Sequence, residues 1–361
     1  MATLTEKVAQ MFLVGVSGKD LSGEEKSIIE GYPFGGFILF NHNCCAPAQI
    51  LGLCRDLWYA AGNHPPFIAI DQEGGRVHRL PEPFTHYPAA ACIGKQNKVE
   101  LAYEAGKATA EELALVGINL NFAPVLDVHS NPRNPIIGDR AFAANPADVV
   151  RFSGPWIKGL RDGGIIPCGK HFPGHGDTDQ DSHLDLPVVH RSLAELRKIE
   201  LSPFRCACSN GIEALMTAHV LYSALDPLLP ATLSHKIVTG LLRKELSYDG
   251  VVFSDDMEMK AITSHTSDEE AIALGVAAGI DVMLYCHELP RAVGAFEFLR
   301  ALAERDEAVR AQVENSYRRI TNLKRRYLKT FTGVEDAELN RQLARSNHRR
   351  IADAIQPGFR S

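Results

Sequence analysis

The sequence predicts an α/β fold, a single (β/α)8 barrel of the TIM type with a C-terminal helical tail, and three observations carry that expectation. Eight short apolar runs of strand character recur along the chain, at 11–16, 35–40, 67–71, 118–124, 165–170, 213–219, 250–255 and 280–285. Stretches of helical period rich in Ala, Glu and Leu lie between most of them, such as VELAYEAGKATAEELALVG before the fourth run and SDEEAIALGVAAG before the eighth. Polar residues gather where the runs end: Asp71, Asp127, Lys170, His171, His219, Asp255 and Asp256.

Strands that are apolar on both faces and alternate with helices imply a parallel sheet. Eight such units closing on themselves need about 250 residues or somewhat more. An open doubly wound sheet is the rival, but no GxGxxG follows a strand to open a helix, so its usual dinucleotide chemistry has no support. In a barrel all the strand ends converge on one face, where such enzymes keep their chemistry. Any one of these residues could simply cap the next helix; as a set they point to a site.

The chain has 361 residues, 45% of them hydrophobic, enough for one large barrel or two average domains. No linker, repeat or low-complexity segment interrupts it before the last thirty or so residues, so the reading is one domain, a barrel over 1–335 and a helical tail over 336–361. After Asn322, basic residues alternate with Leu, Ile and Ala at helical spacing, which predicts a solvated amphipathic helix. The net charge of −6 leaves no electrostatic footprint for nucleic acid or an anionic membrane and suits a small or neutral ligand. The N-terminal stretch MATLTEKVAQMFLVGVSGKD lacks a basic leader and a small-residue cleavage site, and no run approaches the roughly 20 apolar residues of a membrane span. The expectation is a soluble, cytoplasmic protein. Its eight cysteines form no CxxC pair and sit mostly in apolar runs, as reduced, buried fillers.

Residues 170–187, KHFPGHGDTDQDSHLDLP, hold the densest chemistry. Pro173, Gly174 and Gly176 forbid a regular helix, so this is a loop leaving the fifth strand. That removes the geometric basis for a helical zinc pair of His171 and His175. Asp177, Asp179 and Asp181 imitate the opening of a calcium loop, but Ser182 stands where Gly is needed and Val188 where Glu is needed. No metal or other cofactor is expected. A third reading pairs Asp181 with His183: a carboxylate on one imidazole nitrogen raises the basicity of the other and lets His act as acid and then base. A loop Asp in an Asx turn beside an unrelated His is the alternative.

In GVVFSDDMEMKAI (250–262) a buried strand ends in adjacent carboxylates. Alternation sends Asp255 and Asp256 to opposite sides, so one of them faces the barrel mouth and the other is free to cap the next helix. A single carboxylate nucleophile suits a retaining glycosidase. In IAIDQEGGRVHRL (68–80), Asp71 can accept from sugar hydroxyls and Arg76 and Arg79 can donate to oxygens, or these groups form ion pairs that shape the loop. Arg140, in NPRNPIIGDRAF (131–142), could reach the same pocket.

Taken together, KVAQMFLVG, GGFILF, DQEGGRV, IGDRAF, KHFPGHGDTDQDSH and FSDDMEMKA, in that order over residues 7–262, resemble glycoside hydrolase family 3, in particular its bacterial β-N-acetylglucosaminidase branch of peptidoglycan recycling. The resemblance implies a retaining, two-step hydrolysis of terminal β-linked N-acetylglucosamine without cofactor. It implies Asp255 as nucleophile, His183 as proton shuttle in place of the usual second carboxylate, and Asp181 to orient it. It implies sugar binding by Asp71, Arg79, Arg140, Lys170 and His171, with His175 and His219 in supporting positions. The expected partner is a small carbohydrate, an N-acetylglucosamine-containing muropeptide. Action on glucosides and phosphorolysis are the alternatives within the family. A metal-dependent barrel hydrolase and a non-catalytic sugar-binding barrel are the alternatives outside it.

Overall fold

The computed structural model describes residues 2–178, 185–343 and 345–356. The strands in chain order are β1 (Phe12–Gly15), β2 (Gly36–Leu39), β3 (Phe67–Ile70), β4 (Leu120–Asn121), β5 (Ile166–Phe172), β6 (Val188–Val189), β7 (Ala214–Thr217), β8 (Leu221–Tyr222), β9 (Val251–Asp256) and β10 (Val282–Tyr285). Eight of them close a parallel barrel in the order β1-β2-β3-β4-β5-β7-β9-β10, with β10 pairing back onto β1. Each barrel strand coincides with one of the eight apolar runs of the sequence, β5 and β9 extending past theirs by two residues and one. β6 and β8 make a separate two-residue parallel ribbon above the barrel, too short to leave a periodic signal.

The predicted helices follow from local chemistry. Helix Val99–Leu115 precedes β4, and helix Asp268–Ala278 precedes β10, with the Ser267 side chain accepting from the Glu270 N–H and three acidic residues in its first turn. Within the barrel, Phe253 makes edge-to-face contacts with Phe67 and Phe122 at 5.7 and 5.5 Å between ring centres. Such layers of large side chains make the interior a packed core rather than a pore. No helix among the described residues is long and apolar enough to cross a membrane.

Two expectations change. All eight cysteines are free, but Cys45 is exposed and Cys92, Cys206 and Cys208 are only partly covered, so the buried-filler reading holds for Cys44, Cys54, Cys168 and Cys286 alone. The segment after Asn322 is not one solvated helix. It completes helix Glu307–Tyr327 and continues into helices Asp336–Gln342 and Ser346–Ile355. Lys324 is buried: its ammonium donates to Gln10 Oε1 (2.6 Å) and to the Gly35 carbonyl (2.7 Å) and lies 4.8 Å from the Phe67 ring centre. These three residues stand before β1, before β2 and at the start of β3, so Lys324 closes the N-terminal end of the barrel. Burial pushes its pKa down to about 7. The charge run misleads because a lysine stem is apolar and its head finds acceptors only once the barrel has closed.

The last helix is tied to the barrel by His348, whose Nδ1 lies 2.9 Å from Glu112 and Nε2 3.1 Å from Glu111. Burial lowers the His348 pKa, but the two carboxylates outweigh it and leave it raised. A raised pKa contributes stability that is complete below the ordinary histidine value and is lost as pH rises through the folded one. Amide exchange over Ser346–Ile355, corrected for intrinsic rates, is therefore expected to be faster at pH 9 than at pH 6, and His348→Ala should abolish that difference. Equal corrected protection at both pH values in the unsubstituted protein would sink this account.

Candidate active site

A cavity of about 250 Å³ opens where the barrel strands end, with Ile38, Phe122, Met216 and Leu284 as apolar walls and Asp71, Glu73, Arg79, Arg140, Lys170, His171, Asp255 and Asp256 as its polar lining. Five sequence-predicted sugar-binding residues and the predicted nucleophile thus meet in one place. Asp181 and His183 lie outside the described residues.

Lys170, on β5, is the centre of the charge arrangement. Its ammonium is 2.6 Å from Asp71 at the end of β3 and 2.6 Å from Glu73. Burial lowers the Lys170 pKa, and the two carboxylates more than reverse that, so it stays charged. Arg140 binds Glu73 through Nε and Nη2, both at 2.8 Å. Burial raises the Glu73 pKa, but Arg140 and Lys170 together hold its carboxyl far below the usual range. Glu73 is a cavity residue that the sequence pattern did not single out. The signal was there: Asp71 and Glu73 are two residues apart at a strand end, a spacing that places side chains on one side. Its N–H and that of Gly74 donate to Val77 in the turn over Gly74 and Gly75, both at positive φ.

Arg79 reaches the cavity rim, 3.8 Å from Asp71, with its Nη1 donating to Asn41 Oδ1 (3.1 Å) and its guanidinium 5.9 Å from the Phe40 ring centre. Its buried Nε has no hydrogen-bond partner among the described residues. Arg76 stays outside, donating to the Ile136 carbonyl and pairing with Asp139, so its loop-shaping reading is the right one.

Asp127 and the backbone fix the orientation of His171. The imidazole Nδ1 lies 2.7 Å from one Asp127 oxygen, and the other oxygen accepts the His171 and His175 N–H groups at 3.2 and 2.7 Å. Burial raises the Asp127 pKa, but His171 outweighs it and the carboxylate stays ionised. Nδ1 therefore carries the proton, and Nε2 is left to accept from Arg140 Nη2 at 3.5 Å. The loop fits only because Gly176 is a glycine: a Cβ there would stand 1.6 Å from the Val128 carbonyl. His175 lines the same cavity, with Nδ1 2.9 Å from Thr178 Oγ1, and burial together with the neighbouring His171 lowers its pKa to about 4. His219 stands behind the site, between Thr232 Oγ1 (2.8 Å) and the Asp256 carbonyl (2.9 Å), and so holds the end of β9.

Strict alternation fails at that end. Asp255 and Asp256 both line the cavity, where the β9–β10 register shifts between Val282 and Leu284. Asp256 does not cap the next helix either: its Oδ1 accepts the N–H groups of Glu258 (3.1 Å) and Cys286 (3.3 Å), and its Oδ2 is 3.4 Å from His287. His287, stacked on Phe40 at 5.6 Å, is a second cavity residue that the sequence reading left out, although it follows the eighth apolar run. Asp255 accepts the Asp256 N–H at 2.8 Å. Burial raises its pKa, and His219, His171, that N–H and Lys170 outweigh this, so the carboxylate is ionised and poised to act as a nucleophile or a charge stabiliser.

A closed parallel barrel whose strand-end cavity gathers an ionised carboxylate and a cluster of cations has the layout of a barrel enzyme for a polar substrate. Residues 3–323 match the model of the glycosyl hydrolase family 3 N-terminal domain, and the chain belongs to that family. It is 40% identical over 300 residues to the β-hexosaminidase of Alkalilimnicola ehrlichii, covering 81% of this chain and 84% of that one. Its fold superposes on a family 3 β-N-acetylglucosaminidase from Paenibacillus sp. with a TM-score of 0.92 at 38% identity, covering 98% of this chain and 68% of that one. On native NagZ from Neisseria gonorrhoeae it gives 0.81 at 31% identity, covering 96% and 98%. The enzyme is a glycoside hydrolase of the β-N-acetylhexosaminidase kind.

Proposed function

We propose that the protein is a retaining exo-glycosidase that removes terminal, non-reducing β-linked N-acetylglucosamine from fragments of peptidoglycan, acting in the cytoplasm through a covalent glycosyl–Asp255 intermediate. The observation that carries this reading is the ionised Asp255 carboxylate in one cavity with Asp71, Lys170, Arg140, Arg79 and His171. Asp71 accepts from sugar hydroxyls, the cations donate to the remaining oxygens, and His171 Nε2 accepts from a hydroxyl. Asp255 then attacks the anomeric carbon as the bond to the leaving oxygen breaks, and His183, held by Asp181, gives that oxygen its proton. In the second step His183 takes a proton from water, the water oxygen bonds to the anomeric carbon, and the Asp255 ester bond breaks. Two inversions give retention. The division into a barrel over 1–335 and a tail over 336–361 belongs to the same reading.

The test is hydrolysis of a chromogenic N-acetyl-β-glucosaminide with and without a chelator, by the unsubstituted enzyme and by His183→Ala. Turnover that survives the chelator and falls by about 10²- to 10⁴-fold in His183→Ala is expected. Inertness toward this sugar, or abolition by the chelator, would overturn the reading and return the histidine-rich loop to a metal or sugar-binding role.

A further inference from the structure

Beside the catalytic cavity, Arg191 joins two acidic residues from different parts of the chain. Its Nη2 is 2.7 Å from Asp177 and its Nη1 is 3.0 Å from Glu200. Glu200 is fully buried, accepts from Ser130 Oγ at 3.2 Å, and has its second oxygen without a partner among the described residues. Burial lifts its pKa to about 7 in spite of Arg191, so the guanidinium offsets only part of the cost of burying this carboxyl. Glu200 also forms the wall against which the loop turns: a Cβ on Gly174, at φ +133°, would lie 2.6 Å from the Glu200 Cβ. The Gly174 carbonyl in turn accepts from Tyr222 Oη at 2.7 Å. Asn131 donates to the Asp177 and Thr178 carbonyls at 3.3 and 3.4 Å.

These contacts fix the stretch from Gly174 to Thr178, the last described residues before Asp181 and His183. On the far side, chain position is set by the pairing of β6 with β8 and by the Leu221 N–H donating to the Pro187 carbonyl at 2.9 Å. Arg191 lies two residues beyond the end of β6, so one guanidinium links the outgoing and returning stems of the same loop. None of these groups lines the sugar cavity, and a buried ion pair with one unsatisfied oxygen is a poor source of net stability. A role in geometry accounts for it better.

We propose that Arg191, clamped between Asp177 and Glu200, is a positioning residue for proton transfer: it sets the loop stem so that His183 reaches the leaving oxygen. The inference rests on the proposed role of His183. Leaving groups that depart as stable anions need no proton, whereas sugar alkoxides do. A positioning defect therefore slows the second kind and spares the first, while a general loss of fold slows both.

The experiment compares 2,4-dinitrophenyl N-acetyl-β-glucosaminide with N,N′-diacetylchitobiose in single-turnover cleavage by the full-length enzyme and by Arg191→Ala, Arg191→Lys, Glu200→Gln and His183→Ala. Arg191→Ala is expected to lose about 10²-fold on the disaccharide, the effect of roughly 1 Å of misplacement, and less than about 5-fold on the activated substrate. Glu200→Gln should show the same pattern more weakly, and Arg191→Lys, which keeps one charged contact, should recover part of the loss. Equal losses on both substrates, or none on either, in Arg191→Ala would overturn the inference while His183→Ala still discriminates between leaving groups. If His183→Ala itself fails to discriminate, the proton-shuttle reading falls and this inference falls with it. Should Arg191→Ala not fold, Glu200→Gln decides, and an unselective Glu200→Gln overturns the proposal.

Discussion

Asp255→Ala is expected to lower turnover of a chromogenic N-acetyl-β-glucosaminide by on the order of 10⁴-fold or more, the scale of losing a covalent nucleophile. The fold should survive, because Asp255 sits at the strand end and its carboxylate accepts the N–H of its own neighbour, Asp256. Binding should also survive, since Asp71, Arg79, Arg140, Lys170 and His171 remain to hold the sugar. The matching observation concerns the intermediate. With a dinitrophenyl leaving group, His183→Ala forms the glycosyl ester without acid help but lacks the base that hydrolyses it, so the ester accumulates. Mass spectrometry of the quenched protein should find one added N-acetylhexosamine on the peptide containing Asp255. Residual activity of Asp255→Ala above about a hundredth of the original, or an adduct on another residue, would remove Asp255 from this role.

Glu73→Ala carries the second large effect. It removes the carboxylate that receives both nitrogens of Arg140 and one contact of Lys170, and it leaves two cations in a buried space. Breaking a buried pair from one side costs about 3–5 kcal/mol, and urea unfolding at neutral pH should show a loss of that size. Activity should fall by roughly 10²-fold as Lys170 and Arg140 lose their set positions. Because the Glu73 pKa is depressed in the folded protein, its contribution is present above the ordinary carboxylate value and is lost as pH falls through the folded one. The stability gap between Glu73→Ala and the unsubstituted enzyme is therefore expected to narrow in strong acid. A variant within about 0.5 kcal/mol of the original at neutral pH would show that Arg140 and Lys170 are held by other means.

Much of the site was readable because a barrel turns a one-dimensional pattern into a place. A charged residue at the end of an apolar run lands on the same face as every other such residue, so Asp71, Lys170, His171 and Asp255 could be grouped without knowing any distance. Partner choice could not be read in that way. His171 finds Asp127 across 44 positions, and Arg140 finds Glu73 across 67. Local spacing marks Asp127 and Glu73 as strand-end residues but does not say which base each will meet. Asp256 and His287 were misjudged or missed for a related reason: strict alternation presumes regular pairing, and the register shift between β9 and β10 suspends it where the site is built.

The order and number of the barrel strands, the helices between them and the side of the barrel that carries the chemistry were determined by the sequence itself, because period and strand ends are properties of neighbouring residues. The tertiary structure alone decided that Glu73 stands between Lys170 and Arg140, that Lys324 leaves the solvent to close the barrel floor, and that Arg191 links Asp177 to Glu200. The partners come from separate elements, in the case of Lys324 from 314 and 289 positions away. Such contacts become favourable only after closure has removed water and brought donor and acceptor within hydrogen-bonding distance.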